Sequence, residues 1–280
     1  MKRGQVSVFV IIALVVVGLV GGFFVIRGLD YGGGSFDSQV DDVYEGMMEC
    51  FEEVHKGVIS KVAIQGGYYS TPYSSFIDYG PISVPYYYFD GGINYIPSVE
   101  IMEEELYIGS TVELLECFNI LENYELEFDF DYVVSNVSIG EEDIVFVNDV
   151  RLTLSKEDQS ESIDFNDYPI SINSNLLEMN RYATYVALSH DFNEGKLCLS
   201  CFLDISLNDE FILDISTKED YLLMEVIDNR TEYYPQSYRF LLSSRGLNKF
   251  QSNLMVFDGE FVSSDEYLNL NVSEFGVENE

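Results

Sequence analysis

Glu125-Leu126-Glu127-Phe128-Asp129-Phe130-Asp131 alternates acidic and apolar side chains without a break. A period of two sorts the apolar set onto one face of an extended chain and the acids onto the other, as a half-buried antiparallel strand requires. Upstream the period is different. From Val40 onward, Val43, Met47, Phe51, Val54, Val58 and Val62 recur at three and four, which predicts a helix that Asp37 or Ser38 can cap and Gly66-Gly67 stops. A second helix is expected from Ser98, just after Pro97, to about Glu122. It would bury Met102, Leu106, Leu114, Leu115, Phe118 and Leu121, with Gly109 a weak point inside it. Downstream, residues 144–154 and 163–172 read as further strands, 176–189 as a third helix, and 211–215, 221–227 and 238–242 as closing strands. Helices ahead of strands indicate an α+β class, with helices packed on a mostly antiparallel sheet.

The first thirty residues carry a different message. Residues 6–26 form an unbroken apolar run in which Ser7 is the only polar side chain. At helical rise the run spans roughly 31 Å, about the hydrocarbon thickness of a bilayer. It has no polar face and ends in Phe23-Phe24-Val25-Ile26-Arg27, which suits a retained anchor better than a cleaved secretory signal. Lys2 and Arg3 precede the run and Arg27 alone follows directly, so the short N-terminus is expected on the cytoplasmic side. The expected organisation is a signal-anchor helix at 1–27, a Gly-rich tether at 28–38 and an acidic extracellular α+β domain at 39–280. Gly18 and Gly22 within the run have the spacing that lets two membrane helices pack closely, a hint of self-association.

Charge narrows the partners. The chain has 49 Asp and Glu against 14 Lys and Arg, a net charge of −35. Without Lys2, Arg3 and Arg27, eleven bases remain against 49 acids, a balance of −38 for residues 28–280. Such a body repels phosphate backbones, so nucleic-acid binding is excluded. Disorder is a poor reading of a chain 47% hydrophobic and 15% aromatic. Sequons at Asn136, Asn229 and Asn271 are compatible with an exterior face.

Lys2-Arg3-Gly4-Gln5-Val6-Ser7, followed directly by the apolar run, resembles the class III (prepilin-type) signal of archaeal pilin-like proteins. The resemblance implies cutting between Gly4 and Gln5 with the helix retained, and a helix able to pack into a filament core. Archaeal pilins commonly carry Glu at the fifth mature position. Here that position is Phe9, a departure that bears on filament assembly more than on export. Gln65-Gly66-Gly67-Tyr68, Leu197-Cys198-Leu199-Ser200-Cys201 and Tyr238-Arg239-Phe240-Leu241 are also similar to segments of uncharacterised surface proteins from small-genome archaea. That likeness implies the same anchored topology and no particular chemistry.

Chemistry-bearing residues are few. Outside the cell the four cysteines are expected in disulfides, with three connectivities open. Cys50 and Cys117 sit in matching Glu-Cys-Phe contexts, each on the apolar side of its helix, and are the expected staple; Cys198 and Cys201 would then close a small ring. A redox-active Cys198/Cys201 pair, free thiols and a four-thiolate zinc site are the alternatives. His55 is expected on a helix surface and His190 near a helix end, neither with a ligand-spaced partner. No phosphate loop, hydrolase or metalloprotease signature is present, so the expectation is a non-catalytic protein without a cofactor or bound metal. Glu103-Glu104-Glu105, Glu141-Glu142-Asp143 and the stripe Glu127, Asp129, Asp131 offer oxygens to Ca²⁺ but lack EF-hand spacing.

The unusual stretch is 66–98, read as a long ordered loop. It holds Tyr68, Tyr69, Tyr73, Tyr79, Tyr86, Tyr87, Tyr88 and Tyr95, interleaved with prolines and glycines. Tyrosine offers broad contact area with a polar tip, which suits recognition of proteins or glycans; alternatively, the rings bury their own segment. The reading is therefore a membrane-anchored surface protein, structural or adhesive and pilin-like, that contacts the membrane, copies of itself, other envelope proteins or glycans. The rivals are an anchored subunit of an envelope or secretion complex and a thiol-disulfide oxidoreductase using Cys198 and Cys201.

Overall fold

The computed structural model describes residues 35–70, 76–89, 92–93, 95–192, 210–217, 221–230 and 233–243, of which 92–93, 131–135 and 190–192 are described by backbone alone. The apolar run 6–26, Gly4 and Gln5, Gly18 and Gly22, Tyr73, Cys198 and Cys201, the third sequon and the tail after Gly246 lie outside these residues. No helix among the described residues is long and apolar enough to cross a membrane.

The chain is α+β. Helix α1 (Phe36–Ile64) starts earlier than its periodicity predicts, because Phe36 extends the apolar stripe and is itself buried. Ser35 caps it by accepting from the Ser38 amide, so the folded unit begins inside the expected tether. After α1 come β1 (Phe76–Tyr79), β2 (Ile82–Phe89) and β3 (Gly92–Ile93), then α2 (Val99–Glu113). The second helix does not run on as α to Glu122. At Leu114 it tightens into a 3₁₀ stretch, Leu114–Asn123, and Leu115, expected in the core, is 51% exposed. Tightening to three residues per turn rotates each later side chain away from the α-helical stripe.

The alternating segment opens β4 (Glu127–Ile139), which pairs with β5 (Asp143–Lys156); β6 (Gln159–Asp164) and β7 (Ile170–Asn173) both pair with β5. The single strand expected at 163–172 is thus two, split by a 3₁₀ turn, Phe165–Asp167, that sends the fully buried Phe165 ring inward. Helix α3 (Leu176–Phe192) follows, then β8 (Phe211–Thr217), β9 (Tyr221–Asp228) and β10 (Ser237–Ser243). The described strands form two sheets rather than one. The second sheet is β4-β5-β6 with β7, and the first has the order β1-β2-β10-β9-β8 with β3 on β2. Among the described strands every pairing is antiparallel except β2 with β10, and an isolated parallel bridge joins Ser174 to Tyr234. Helix α1 touches β2 and β10 of the first sheet and β5, β6 and β7 of the second, so one continuous core joins them.

The stretch 66–98 is not a loop presenting its rings. Tyr86, Tyr87 and Tyr88 belong to β2, which lies between β1 and β10, and all three are buried, as is Tyr68. Tyr87 and Tyr88 join the main core, while Tyr86 packs with Val84 and Leu241 in a separate small cluster. A strand covered on both faces shows no alternation, which is why its period did not mark it as a strand. Tyr69, Tyr79 and Tyr95 are half-buried.

Candidate functional site

The expected disulfide between Cys50 and Cys117 is present, with Cα atoms 5.8 Å apart, and joins α1 to the 3₁₀ stretch beyond α2. His55, expected on a surface, is fully buried. Its ring stacks on Phe146 at 3.9 Å, and its two nitrogens lie 3.2 Å from Ser110 Oγ and 3.1 Å from Asn148 Oδ1. Because Asn148 Oδ1 can only accept, Nε2 carries the proton and Nδ1 accepts from the Ser110 hydroxyl. Burial drives its pKa down to about 4, so the ring is neutral at pH 7. Both nitrogens are spent on structure, which leaves no lone pair for a metal.

The Gln65-Gly66-Gly67-Tyr68 segment is a structural clamp. Gln65 Nε2 donates to the carbonyls of Tyr68 (3.1 Å) and Tyr69 (2.9 Å), while Oε1 accepts from the Ser83 amide of β2 (3.1 Å). Gly67 has φ +82°, and a Cβ there would come within 2.4 Å of Pro97. The acidic runs are also engaged in the fold. Glu105 accepts from the Tyr69 and Ser70 amides, Glu103 from the Ile139 amide, and Asp143 from the Ser171 hydroxyl. Glu127 and Asp129 are exposed on β4. Among the described residues no group of three or more His, Cys, Asp or Glu is placed to hold a metal ion.

One concave site was not legible in the sequence. A polar cleft of about 390 Å³ is lined by Glu141 and Glu142 from the β4–β5 turn, Asn175, Glu178 and Arg181 from the start of α3, Glu210 before β8, and Arg230 and Tyr233 after β9. Four distant segments supply it, each reading as ordinary charged surface. Arg181 grips Glu141 through two bonds of 2.6 and 2.8 Å. Arg230 is the more constrained cation. Its guanidinium lies 4.8 Å from the Phe211 ring and 5.0 Å from the Tyr233 ring. Its Nε and backbone amide both donate to Asp228 Oδ1 and its Nη1 to Glu210. The Asp228 side chain is fully buried, and its other oxygen accepts from Asn175. Arg230 Nη2 is buried without a hydrogen-bond partner and lies 3.7 Å from Glu178. Burial raises the Glu178 pKa, and Arg230 opposes that rise. Among the described residues the lining holds neither thiol, histidine nor aliphatic hydroxyl, and what these residues offer is hydrogen bonding and charge.

Comparison with protein-family models, with curated proteins and with solved structures finds no match to this chain.

Proposed function

We propose that this chain is a membrane-anchored surface protein whose acidic α+β ectodomain serves a structural, non-catalytic role of pilin-like kind. The observation that carries the reading is the Cys50–Cys117 cross-link between α1 and the 3₁₀ stretch that follows α2. Disulfides persist in oxidising compartments, and this one follows a basic-flanked apolar run of membrane-spanning length. With Tyr68, Tyr86, Tyr87 and Tyr88 buried, the ectodomain is read as an acidic body rather than a display of aromatic rings. The test is fractionation of native cells with mass spectrometry of the unreduced protein. Recovery in the membrane fraction, oxidised at Cys50 and Cys117 and beginning at Gln5, is expected; recovery from cytosol with reduced thiols overturns the reading.

A specific observation favours an adhesive role alongside the structural one. Arg181 and Arg230 line the same cleft as Glu141, Glu142, Glu178 and Glu210, and the Arg230 guanidinium lies within 5.0 Å of the Phe211 and Tyr233 rings. A glycan hydroxyl both accepts from a guanidinium and donates to a carboxylate, so the cleft suits a hydroxyl-rich ligand. Arg230→Lys keeps the charge but loses the fork, and should abolish retention of the full chain on immobilised glycans. Unchanged retention removes the cleft from the adhesive reading.

A further inference from the structure

Ile101, Ile108, Val112 and Leu115 recur at seven, four and three along α2 and its 3₁₀ extension, and they are 39, 37, 54 and 51% exposed. Isolated exposed apolar side chains are ordinary; a line of four at helical spacing on one face is not. At about 100° per residue Ile101, Ile108 and Val112 fall on one narrow stripe of α2 with Glu104 beside it, and Leu115, one 3₁₀ turn beyond Val112, continues it. Residues 99–123 contain seven glutamates and no Lys, Arg or His. Glu103, Glu105 and Glu113 are bonded to Ile139, to Tyr69 and Ser70, and to Tyr69, whereas Glu100, Glu104 and Glu116 are exposed. The stripe stands on a fixed support. Met102, Leu106, Gly109 and Ser110 bury the opposite face, and Cys117 ties the end of the element to α1.

We infer that this stripe is the docking surface for a basic amphipathic helix of a partner protein. Apolar contact along the stripe would supply affinity, and Lys or Arg on the partner's flanks would meet the glutamates. Charge excludes the other occupants: an anionic membrane surface repels the glutamates, and a second copy sets carboxylate against carboxylate. The inference does not rest on the anchor, since the stripe belongs to the folded unit alone.

The test is a fluorescence-polarisation titration of the full-length chain in phosphatidylcholine nanodiscs, with empty nanodiscs as blank. Should the chain prove soluble, the same titration is run without discs. The probe is a labelled synthetic helix with leucines on one face and lysines flanking them; the controls are a scrambled peptide of identical composition and a glutamate-for-lysine version. The amphipathic lysine helix should bind at least about tenfold tighter than either control and weaken as salt rises. Val112→Ser with Leu115→Ser should lose about tenfold in affinity at an unchanged melting temperature, and Glu104→Gln with Glu116→Gln should lose the salt dependence. Equal binding of the scrambled peptide, indifference to the Ser variant, or no binding overturns the inference. So does sedimentation showing a dimer that the Ser variant dissociates, which would make the occupant a second copy.

Discussion

The hydroxyls of Tyr87 on β2 and Tyr238 on β10 are hydrogen-bonded to each other inside the core, where both residues are fully buried. The direction of the bond follows from its neighbours. Tyr87 donates to the Gly66 carbonyl at 3.2 Å, so its oxygen must accept from Tyr238, which in turn accepts from Asn180 Nδ2 at 2.9 Å. The chain Asn180–Tyr238–Tyr87–Gly66 thereby ties α3, both parallel strands and the end of α1. Burial holds both phenol pKa values well above the usual range, so both protons stay in place across the physiological range.

Tyr87→Phe should therefore cost more than a surface hydroxyl would. It strands the Gly66 carbonyl and the Tyr238 hydroxyl in a dry site, a loss of about 1–3 kcal/mol. The double variant Tyr87→Phe with Tyr238→Phe should cost less than the sum of the two single changes, because the second change removes a group the first left unsatisfied. Urea denaturation of the four proteins measures this; strict additivity would mean that water or a shifted backbone replaces the chain.

Acid should act on His55. Its folded pKa of about 4 lies below the unfolded value near 6.5, so between those limits the unfolded chain binds more protons. Its contribution is complete above pH 6.5 and is lost as pH falls toward 4, to a total of about 3 kcal/mol. Protonation of surface carboxylates relieves repulsion over the same range and pulls stability the other way, so the signal is the difference from His55→Gln. The stability difference, wild type minus variant, should be flat above pH 7 and shift steadily against the wild type from pH 6.5 downward. A difference independent of pH would show that His55 is solvated.

Legibility tracked periodicity. The period of three and four marked α1, and the residues it assigned to the core, such as Met47 and Phe51, are buried. The matched contexts of Cys50 and Cys117 were enough to pair them. β2 could not be read, because Val84 to Tyr88 are all buried and prolines interrupt the segment. His55 was misplaced because its partners, Ser110 and Asn148, lie 55 and 93 residues away, and nothing local distinguishes a buried bonded histidine from a surface one. The polar cleft failed for the same reason: Asp228 and Arg230 are neighbours in sequence, but Glu178 and Glu210 meet Arg230 only through the fold.

The Cys50–Cys117 cross-link spans 67 residues of chain, and in the loop-entropy account such a closure contributes about 4 kcal/mol. Cys50→Ala with Cys117→Ala should lose most of that amount in urea denaturation while retaining the native circular dichroism spectrum. A loss below about 1 kcal/mol would show that packing of Leu114, Phe118 and Leu121 already restrains the unfolded-state loop or the helix pair.

Gly109→Ala is the change for which propensity and packing give opposite answers. Inside a helix, alanine for glycine should gain about 1 kcal/mol. A Cβ at Gly109, however, would fall 2.5 Å from Tyr69 Cδ2 and 2.8 Å from Val58 Cγ1, well inside van der Waals contact. The Tyr69 ring cannot easily give way. Its hydroxyl donates to Glu113 at 2.6 Å, Lys61 Nζ lies 3.7 Å from its ring centre, and its amide is held by Glu105. Overpacking of this kind costs about 1–3 kcal/mol and should outweigh the propensity gain. The expected result is a net loss of about 1 kcal/mol or more in urea denaturation. Tyr69→Ala in the same chain should reduce the cost of Gly109→Ala, since the ring it strikes is gone and only the Val58 Cγ1 contact remains. If Gly109→Ala stabilises the protein with Tyr69 intact, α2 and the Tyr69 ring are not packed as closely as their geometry states.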